Sequence, residues 1–305
     1  MNTFTRFLKF IEITTKLASL VPFFIGVAYV FYKTGTINAG HTALLLLDVM
    51  LFDLPVTMIN NYLDKRRSGE PPHFGKAFSL SLIIIMVALS FAIGIWFTVN
   101  YGLVTLAVGG LCFFVGIFYS ATPICLNRTP YGEIFSGLTQ GFCITFLVAF
   151  INMPAGYFAT LALNGVSLKG NINMVTVGEI MIVTLPAVFC ISNIMLANNI
   201  CDVERDAKTD RYTLPYYIGH KSSLALYSAI YGAAYAAIVV GVLLRALPWT
   251  CLLLLLTIPP IKKNVIRFVE KPQKAVTFVL SINNFNTILL CYIVLLILGR
   301  FLRFS

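Results

Sequence analysis

The sequence predicts an all-α, polytopic membrane protein, with nine transmembrane helices in one bundle, the N-terminus in the cytoplasm and residues 1–305 forming a single domain. Three observations carry that expectation. Hydrophobic residues make up 58% of the chain against 11% charged, with a mean hydropathy of +0.86, which leaves too little polar surface for a soluble domain of this length. Apolar runs long enough to cross a bilayer recur from end to end. The cations are also asymmetric: of all the Lys and Arg, only Lys33, Lys169, Arg245, Arg300 and Arg303 fall on the outer side when the positive-inside rule is applied. The net charge of +10 is therefore a topology signal, so membrane lipid is expected as a partner and nucleic acid is not.

The spans fall at approximately 15–33, 42–62, 77–99, 102–120, 132–152, 176–198, 222–244, 247–261 and 275–299. Before the first, Met1–Lys16 is mixed and basic, and no small-residue cleavage site follows the apolar run, so the run is expected to remain as a helix. Pro22 and Gly26 lie inside it, which membrane helices tolerate when neighbours satisfy the freed backbone groups. Glu12 and Lys16, one turn apart near the inner surface, read as a surface ion pair with a snorkelling lysine. The second span carries Asp48 and Asp53 at bilayer depth, where an acid normally faces the bundle interior or a wet cavity. Asp48, further out, reads as a hydrogen-bonded structural acid. The third span is plainly apolar.

The fourth span runs into the loop Tyr119–Glu133, shaped by Pro123, Pro130 and Gly132, in which Arg128 is the only cation. That arginine reads either as a topology determinant or as a contact for an anionic substrate group. Residues 153–175 form the longest outer loop and carry no readable chemistry. The basic loop around Lys262, Lys263 and Arg267 reads as attraction to anionic headgroups. The seven cysteines form no close pair and read as small core residues.

Two polar stretches at the ends of apolar runs hold the chemistry. In the stretch Asn198–Pro215, Asn198, Asp202 and Asp206 recur every fourth residue, so a continuing helix stacks them on one face. The stretch Asn60–Glu70 repeats the device, with Asn60 four residues before Asp64. Hard carboxylate and amide oxygens suit Mg2+, which keeps waters and is shared with substrate phosphates, so two such edges fit a diphosphate. Both edges face the cytoplasm in the predicted topology. Asp53 lies near the same helical face as Asn60 and Asp64, deeper in the same cavity.

Three stretches together resemble the UbiA-type intramembrane prenyltransferases, most of all those that act on 1,4-dihydroxy-2-naphthoate in menaquinone biosynthesis. Asn60–Glu70 resembles the first Asp-rich motif, Tyr119–Gly137 the Tyr-Ser…Arg-Thr-Pro…Gly-Glu segment, and Asn198–Leu214 the Asn-Asn…Asp…Asp…Thr-Leu motif. The first motif departs from the pattern at Asn61, where an acid is common, and at Glu70, where the last Asp usually stands. The Arg-Pro pattern of the first helix is missing, with Lys16 the nearest cation.

The resemblance implies Mg2+ held by Asp64 and Glu70 on one side and by Asp202 and Asp206 on the other, neutralising a polyprenyl diphosphate. It implies oxygen contacts from Arg67, Arg128, Lys208 and Arg211, with Asn60 and Asn198 beside them, and cation–π support for an allylic cation from Tyr62 and Tyr119. The naphthoate ring then attacks, and loss of CO2 gives demethylmenaquinol. Asp53, desolvated and beyond metal contact, could hydrogen-bond the acceptor's hydroxyl or take its proton. Two rival readings stand beside this one. Another acceptor, such as 4-hydroxybenzoate, would use the same donor apparatus. A cation-coupled transporter would use Asp48 and Asp53 as an ion path and would show inverted repeats and helices broken at mid-membrane.

Overall fold

A peptide group in a bilayer has no water to bond, so each apolar run must satisfy its backbone within its own helix. The computed structural model describes residues 3–69, 71–165 and 167–302. Its α-helices are α1 (Thr3–Ile11), α2 (Leu17–Thr34), α3 (Ala39–Ser68), α4 (Lys76–Tyr101), α5 (Leu103–Ser120), α6 (Gly132–Ser136), α7 (Ile144–Asn152), α8 (Met174–Ala207), α9 (Leu214–Ile218), α10 (His220–Leu243), α11 (Ile258–Glu270) and α12 (Phe278–Phe301). A π-helical turn, Gly137–Cys143, joins α6 to α7 as one continuous rod.

Among the described residues eight helical spans are long and apolar enough to cross a membrane: α2, α3, α4, α5, Gly132–Asn152, α8, α10 and α12. The span expected at 247–261 takes another form, a 3-10 helix over Trp249–Thr257 followed by α11. Pro259 and Pro260 explain the break, because neither has an N–H to give to a carbonyl of the preceding turn. The basic segment expected as a loop is helical too, since the same prolines sit comfortably in the first turn of α11.

The membrane helices begin on side-chain caps where the sequence supplies them. Asn38 Oδ1 accepts from His41 N at 3.1 Å, and Asn173 Oδ1 accepts from Val175 N and Thr176 N at 3.2 and 3.3 Å. The segment expected as the longest outer loop holds an antiparallel hairpin of β1 (Ala159–Asn164) and β2 (Ser167–Ile172). At the opposite ends, α3 and α8 run on to Ser68 and Ala207. The first polar stretch is thus helical through Asn60 and Asp64, and the second through Asn198, Asp202 and Asp206. Gly69, at φ 72°, stops α3.

The main core gathers around α8, which packs on α10 and α12, while α2 packs on α7 and α12. Fully buried Tyr29, Tyr227 and Tyr292 fill it. Two of their hydroxyls find partners, Tyr292 donating to Val183 O at 3.0 Å and Tyr227 bonding Ser281 Oγ at 2.8 Å. Close approach fixes the rod of α6 and α7 against α8: a Cβ on Gly137 would lie 2.1 Å from Ser192 Oγ, and one on Gly141 2.7 Å from Val188 N. Only glycine permits that contact, which sets the loop before α6 beside the polar end of α8. On the other side, α3 packs against α4 and α5.

Candidate functional site

A cavity of about 560 Å³ lies among α2, α3, α5, the α6–α7 rod, α8 and α12. Along α3 its wall runs from Asn60 to Leu45, a distance of roughly 22 Å at 1.5 Å per residue. The two ends differ in chemistry. Asn60, Tyr119, Asn127, Asn198, Asp202, Arg211 and Lys274 line the end at the polar stretches, whereas Leu45, Val49, Phe52, Phe113, Ile144 and Leu147 line the deep part together with the hydrogen-bonded Asp48 and Ser90.

On α8, Asn198 and Asp202 line the cavity, one turn apart as their spacing predicts. Asp202 is buried, and its Oδ2 receives Lys274 Nζ at 2.7 Å and Arg205 Nη2 at 3.2 Å. The same Lys274 ammonium donates to Asn198 Oδ1. Asp206 has turned away from the cavity: eight residues at 100° each leave it about 80° from Asn198 around the helix. It is buried against Arg211, whose Nε lies 3.4 Å from Asp206 Oδ2 as an ion pair without hydrogen-bond geometry. Arg211 also donates to Asn127 O at 3.0 Å and Asn199 Oδ1 at 3.4 Å, and it lines the cavity itself.

On α3, Asn60 Oδ1 accepts from Ser120 Oγ at 2.8 Å and Asn127 Nδ2 at 2.9 Å. The neighbouring Asn61 instead donates to Phe10 O at 3.0 Å and so ties down the end of α1. Asp64, half exposed, stands beyond the mouth with Arg67 Nη1 at 3.8 Å. Arg67 also reaches Ser120 O and Cys125 Sγ, each at 3.4 Å, and does not line the cavity. Tyr62, two residues from Asn60 and so about 200° around the helix, is on the other side of α3. The rings that do line the cavity are Tyr119, Phe52, Phe113, Phe278 and Phe285. Glu70 lies outside the described residues.

Arg128 is neither a bare topology charge nor a cavity cation. Its Nη1 donates to Thr209 O at 2.7 Å, latching the connection between α5 and α6 to the segment after α8. Lys208 is exposed at the end of α8 and does not line the cavity.

Deeper in, the expected surface pair of Glu12 and Lys16 is absent in that form. The 3-10 turn Ile13–Lys16 directs Lys16 inward, where its Nζ lies 2.9 Å from Asp53 Oδ2 and donates to Thr57 Oγ1 at 2.5 Å and Asp53 O at 3.1 Å. Asp53 is thus the partner of a buried lysine instead of an isolated acid. Its Oδ2 makes no hydrogen bond among the described residues. Glu12, in a left-handed backbone conformation at φ 45°, also lines the cavity, and burial pushes its carboxyl above the ordinary range against the pull of Asn61 and Lys16. Asp48 accepts from Ser90 Oγ at 2.6 Å, as a structural acid would.

The sequence assigns Lys274 and Asn127 no place in the site and puts Lys16 at the surface. The α11–α12 approach carries no local pattern around Lys274 beyond a cation before a span. Asn127 stands in the resembling Tyr119–Gly137 segment, which was its available signal.

The donor set suits a hard cation. Two hard oxygens, Asp202 Oδ2 and Asn198 Oδ1, already share one bound cation, the Lys274 ammonium. Among the described residues no three carboxylate, imidazole or thiol groups converge as a ready-made metal cage. Four cationic side chains (Lys16, Arg205, Arg211, Lys274) face four carboxylates (Glu12, Asp48, Asp53, Asp202) around the cavity, so an entering polyanion needs to bring counter-charge with it.

Residues 19–299 match the model of the UbiA prenyltransferase family. The chain is 27% identical over 301 residues to the 1,4-dihydroxy-2-naphthoate octaprenyltransferase of Bacillus subtilis (strain 168), covering 90% of this chain and 86% of that one. Its fold is similar to a digeranylgeranylglyceryl phosphate synthase, with a TM-score of 0.62 at 15% identity over 97% and 99% of the two chains. It is similar also to a UbiA homolog from Archaeoglobus fulgidus bound to GPP and Mg2+, with a TM-score of 0.58 at 15% identity over 97% and 100%.

Proposed function

The chain belongs to the UbiA prenyltransferase family, and from that premise we propose that it transfers a polyprenyl group from polyprenyl diphosphate to 1,4-dihydroxy-2-naphthoate, releasing diphosphate and CO2 and giving demethylmenaquinol. The observation that carries this reading is the cavity itself, polar and carboxylate-edged at one end and lined beyond it mainly by apolar side chains, with the Lys16–Asp53 pair and Asp48 set among them. That gradient matches a donor with a charged head and a long hydrocarbon tail. The named Bacillus relative supports the naphthoate acceptor, and the Mg2+ and GPP of the Archaeoglobus homolog support the donor and the metal.

Mg2+ entering with the donor would neutralise the diphosphate as a leaving group. Asn198 and Asp202 on α8 and Asp64 on α3 are the residues that would hold it; Asp206 and Glu70 complete the predicted set, Asp206 only if it turned from Arg211 back toward the cavity. Arg211, the less exposed of the two cavity arginines, would contact the diphosphate oxygens, where charge grows as the allylic C–O bond breaks. Tyr119 and the lining phenylalanines give the allylic cation π faces and exclude water from it. Asp53, which lines the cavity beside its ion-pair partner Lys16, would accept from a naphthoate hydroxyl, orient it and take its proton as the ring attacks. Decarboxylation then restores the aromatic ring. In this reading the N-terminus and the carboxylate edges face the cytoplasm of the cell membrane, where both substrates arrive.

Membranes carrying the protein, supplied with carboxyl-labelled naphthoate, a polyprenyl diphosphate and Mg2+, should release labelled CO2 with formation of the prenylated quinol. Prenylation of 4-hydroxybenzoate with none of naphthoate would overturn the acceptor, and no prenylation of either would overturn the reaction.

A further inference from the structure

We propose that Lys274 is a positioning residue: a tethered counter-ion that occupies the second carboxylate edge before substrate arrives, delays metal binding there, and moves to the diphosphate when metal and donor enter together. This rests on the proposed donor chemistry but not on the identity of the acceptor.

The geometry supplies each part. Lys274 Nζ bridges Asp202 Oδ2, at 2.7 Å, and Asn198 Oδ1, so the oxygens best placed for a metal are engaged by one ammonium. The two partners differ in freedom, the lysine side chain being 42% exposed and that of Asp202 6%. A movable cation therefore sits on a fixed anion. The backbone beneath the lysine is pinned, Gln273 N donating to Thr277 Oγ1 at 2.8 Å and Thr277 Oγ1 donating to Lys271 O at 2.7 Å, so movement is left to the side chain. The ammonium also lies 4.8 Å from the centroid of the Phe278 ring, and both residues line the cavity. Once displaced from Asp202 it stays within the same walls as Arg211, facing whatever displaced it. A lone metal ion must evict the lysine without offering it a new partner, whereas a metal with diphosphate offers one. Arg205 provides the contrast: it too touches Asp202 Oδ2, at 3.2 Å, but it is 70% exposed and does not bridge to Asn198.

The test uses the full chain in detergent, with Mn2+ and inorganic pyrophosphate as probes. Lys274→Met should bind Mn2+ alone about tenfold tighter than the parent, the loss of one charged hydrogen bond to the competitor. With Mn2+ saturating, it should bind pyrophosphate about tenfold more weakly, because the released cation is gone. Lys274→Arg should restore the parent's weak Mn2+ binding, and Arg205→Met should leave it within about twofold. Lys274→Gln repeats the measurement should the Met variant fold poorly. Opposite signs for the two probes are what a merely structural lysine would not give. Unchanged Mn2+ affinity in the Lys274 variants, or an equal gain in Arg205→Met, overturns the proposal and leaves the transferase reading standing. Failure of prenyl transfer to any acceptor would overturn that reading and leave the Mn2+ result intact.

Discussion

Lys16 Nζ lies 2.9 Å from Asp53 Oδ2, with the two side chains 3% and 13% exposed, and the pair joins the start of α2 to the middle of α3 beside the cavity. Neither charge could be held there alone, since removing one partner of a buried pair leaves the other desolvated at a cost of about 3–5 kcal/mol. The pair is therefore a structural tie, and both of its members also line the cavity.

Lys16→Met should accordingly lower unfolding stability in detergent by about 3–5 kcal/mol, and adding Asp53→Leu should recover most of it. Asp53→Asn should raise the KM for naphthoate or lower kcat while leaving the KM for prenyl diphosphate nearly constant. Unaltered naphthoate kinetics in a folded variant would return Asp53 to the tie alone.

What could be read from the chain follows from distance along it. Asn60 with Asp64, and Asn198 with Asp202, were legible because helical periodicity converts a four-residue spacing into a shared face. Asp206 shows the limit of that rule, since the drift of each further turn carries it off the cavity and onto Arg211. Lys16 and Lys274 meet their partners across 37 and 72 residues, and no local pattern encodes such contacts. Hydropathy located the apolar segment at 247–261 but is blind to its hydrogen-bond register, which Pro259 and Pro260 decide.

The carboxylate edges give the sharpest mutational contrast between activity and folding. Asp202→Asn and Asp64→Asn should each abolish prenyl transfer while the protein melts within a few degrees of the parent, because each removes charge from a metal ligand and leaves its shape, Asp64 being half exposed and the cations that face buried Asp202 being free to turn to water. Full activity in either folded variant would sink the two-edge arrangement.

Arg211 and Lys208, three residues apart, should separate just as clearly. Arg211→Ala removes a cavity cation that also holds Asn127 O, so the KM for prenyl diphosphate should rise at least about tenfold. Lys208→Ala, exposed and outside the cavity, should change it by less than about twofold. Equal effects would mean that both cations act through the general field around the mouth.

Close packing at the π-helical turn is testable by a single methyl. A Cβ on Gly137 would stand 2.1 Å from Ser192 Oγ and 2.8 Å from Val188 O. Gly137→Ala should cost about 1–3 kcal/mol in unfolding experiments. Adding Ser192→Ala should recover only part of it, because the backbone carbonyl cannot withdraw. Complete recovery would show that the side chain alone sets the spacing of α7 and α8.

Glu12 supplies a pH dependence whose sign can be worked out. Burial raises its carboxyl above the ordinary value of 4.5, and nearby Asp64 adds to the rise, while Asn61 and Lys16 pull the other way. Between 4.5 and the raised value the folded protein therefore binds a proton that the unfolded chain has already lost. The stability this group contributes is fully present below the unfolded value, falls as pH rises through the folded one, and stays low beyond it. Glu12→Gln, always neutral, lacks the dependence. The parent's melting temperature minus that of Glu12→Gln should decline as pH is raised from 4.5 and then level off, with the variant the more heat-resistant of the two at neutral pH. A difference that grows with pH would mean that Lys16 and Asn61 outweigh burial, so that the charged form of Glu12 is the one the fold prefers.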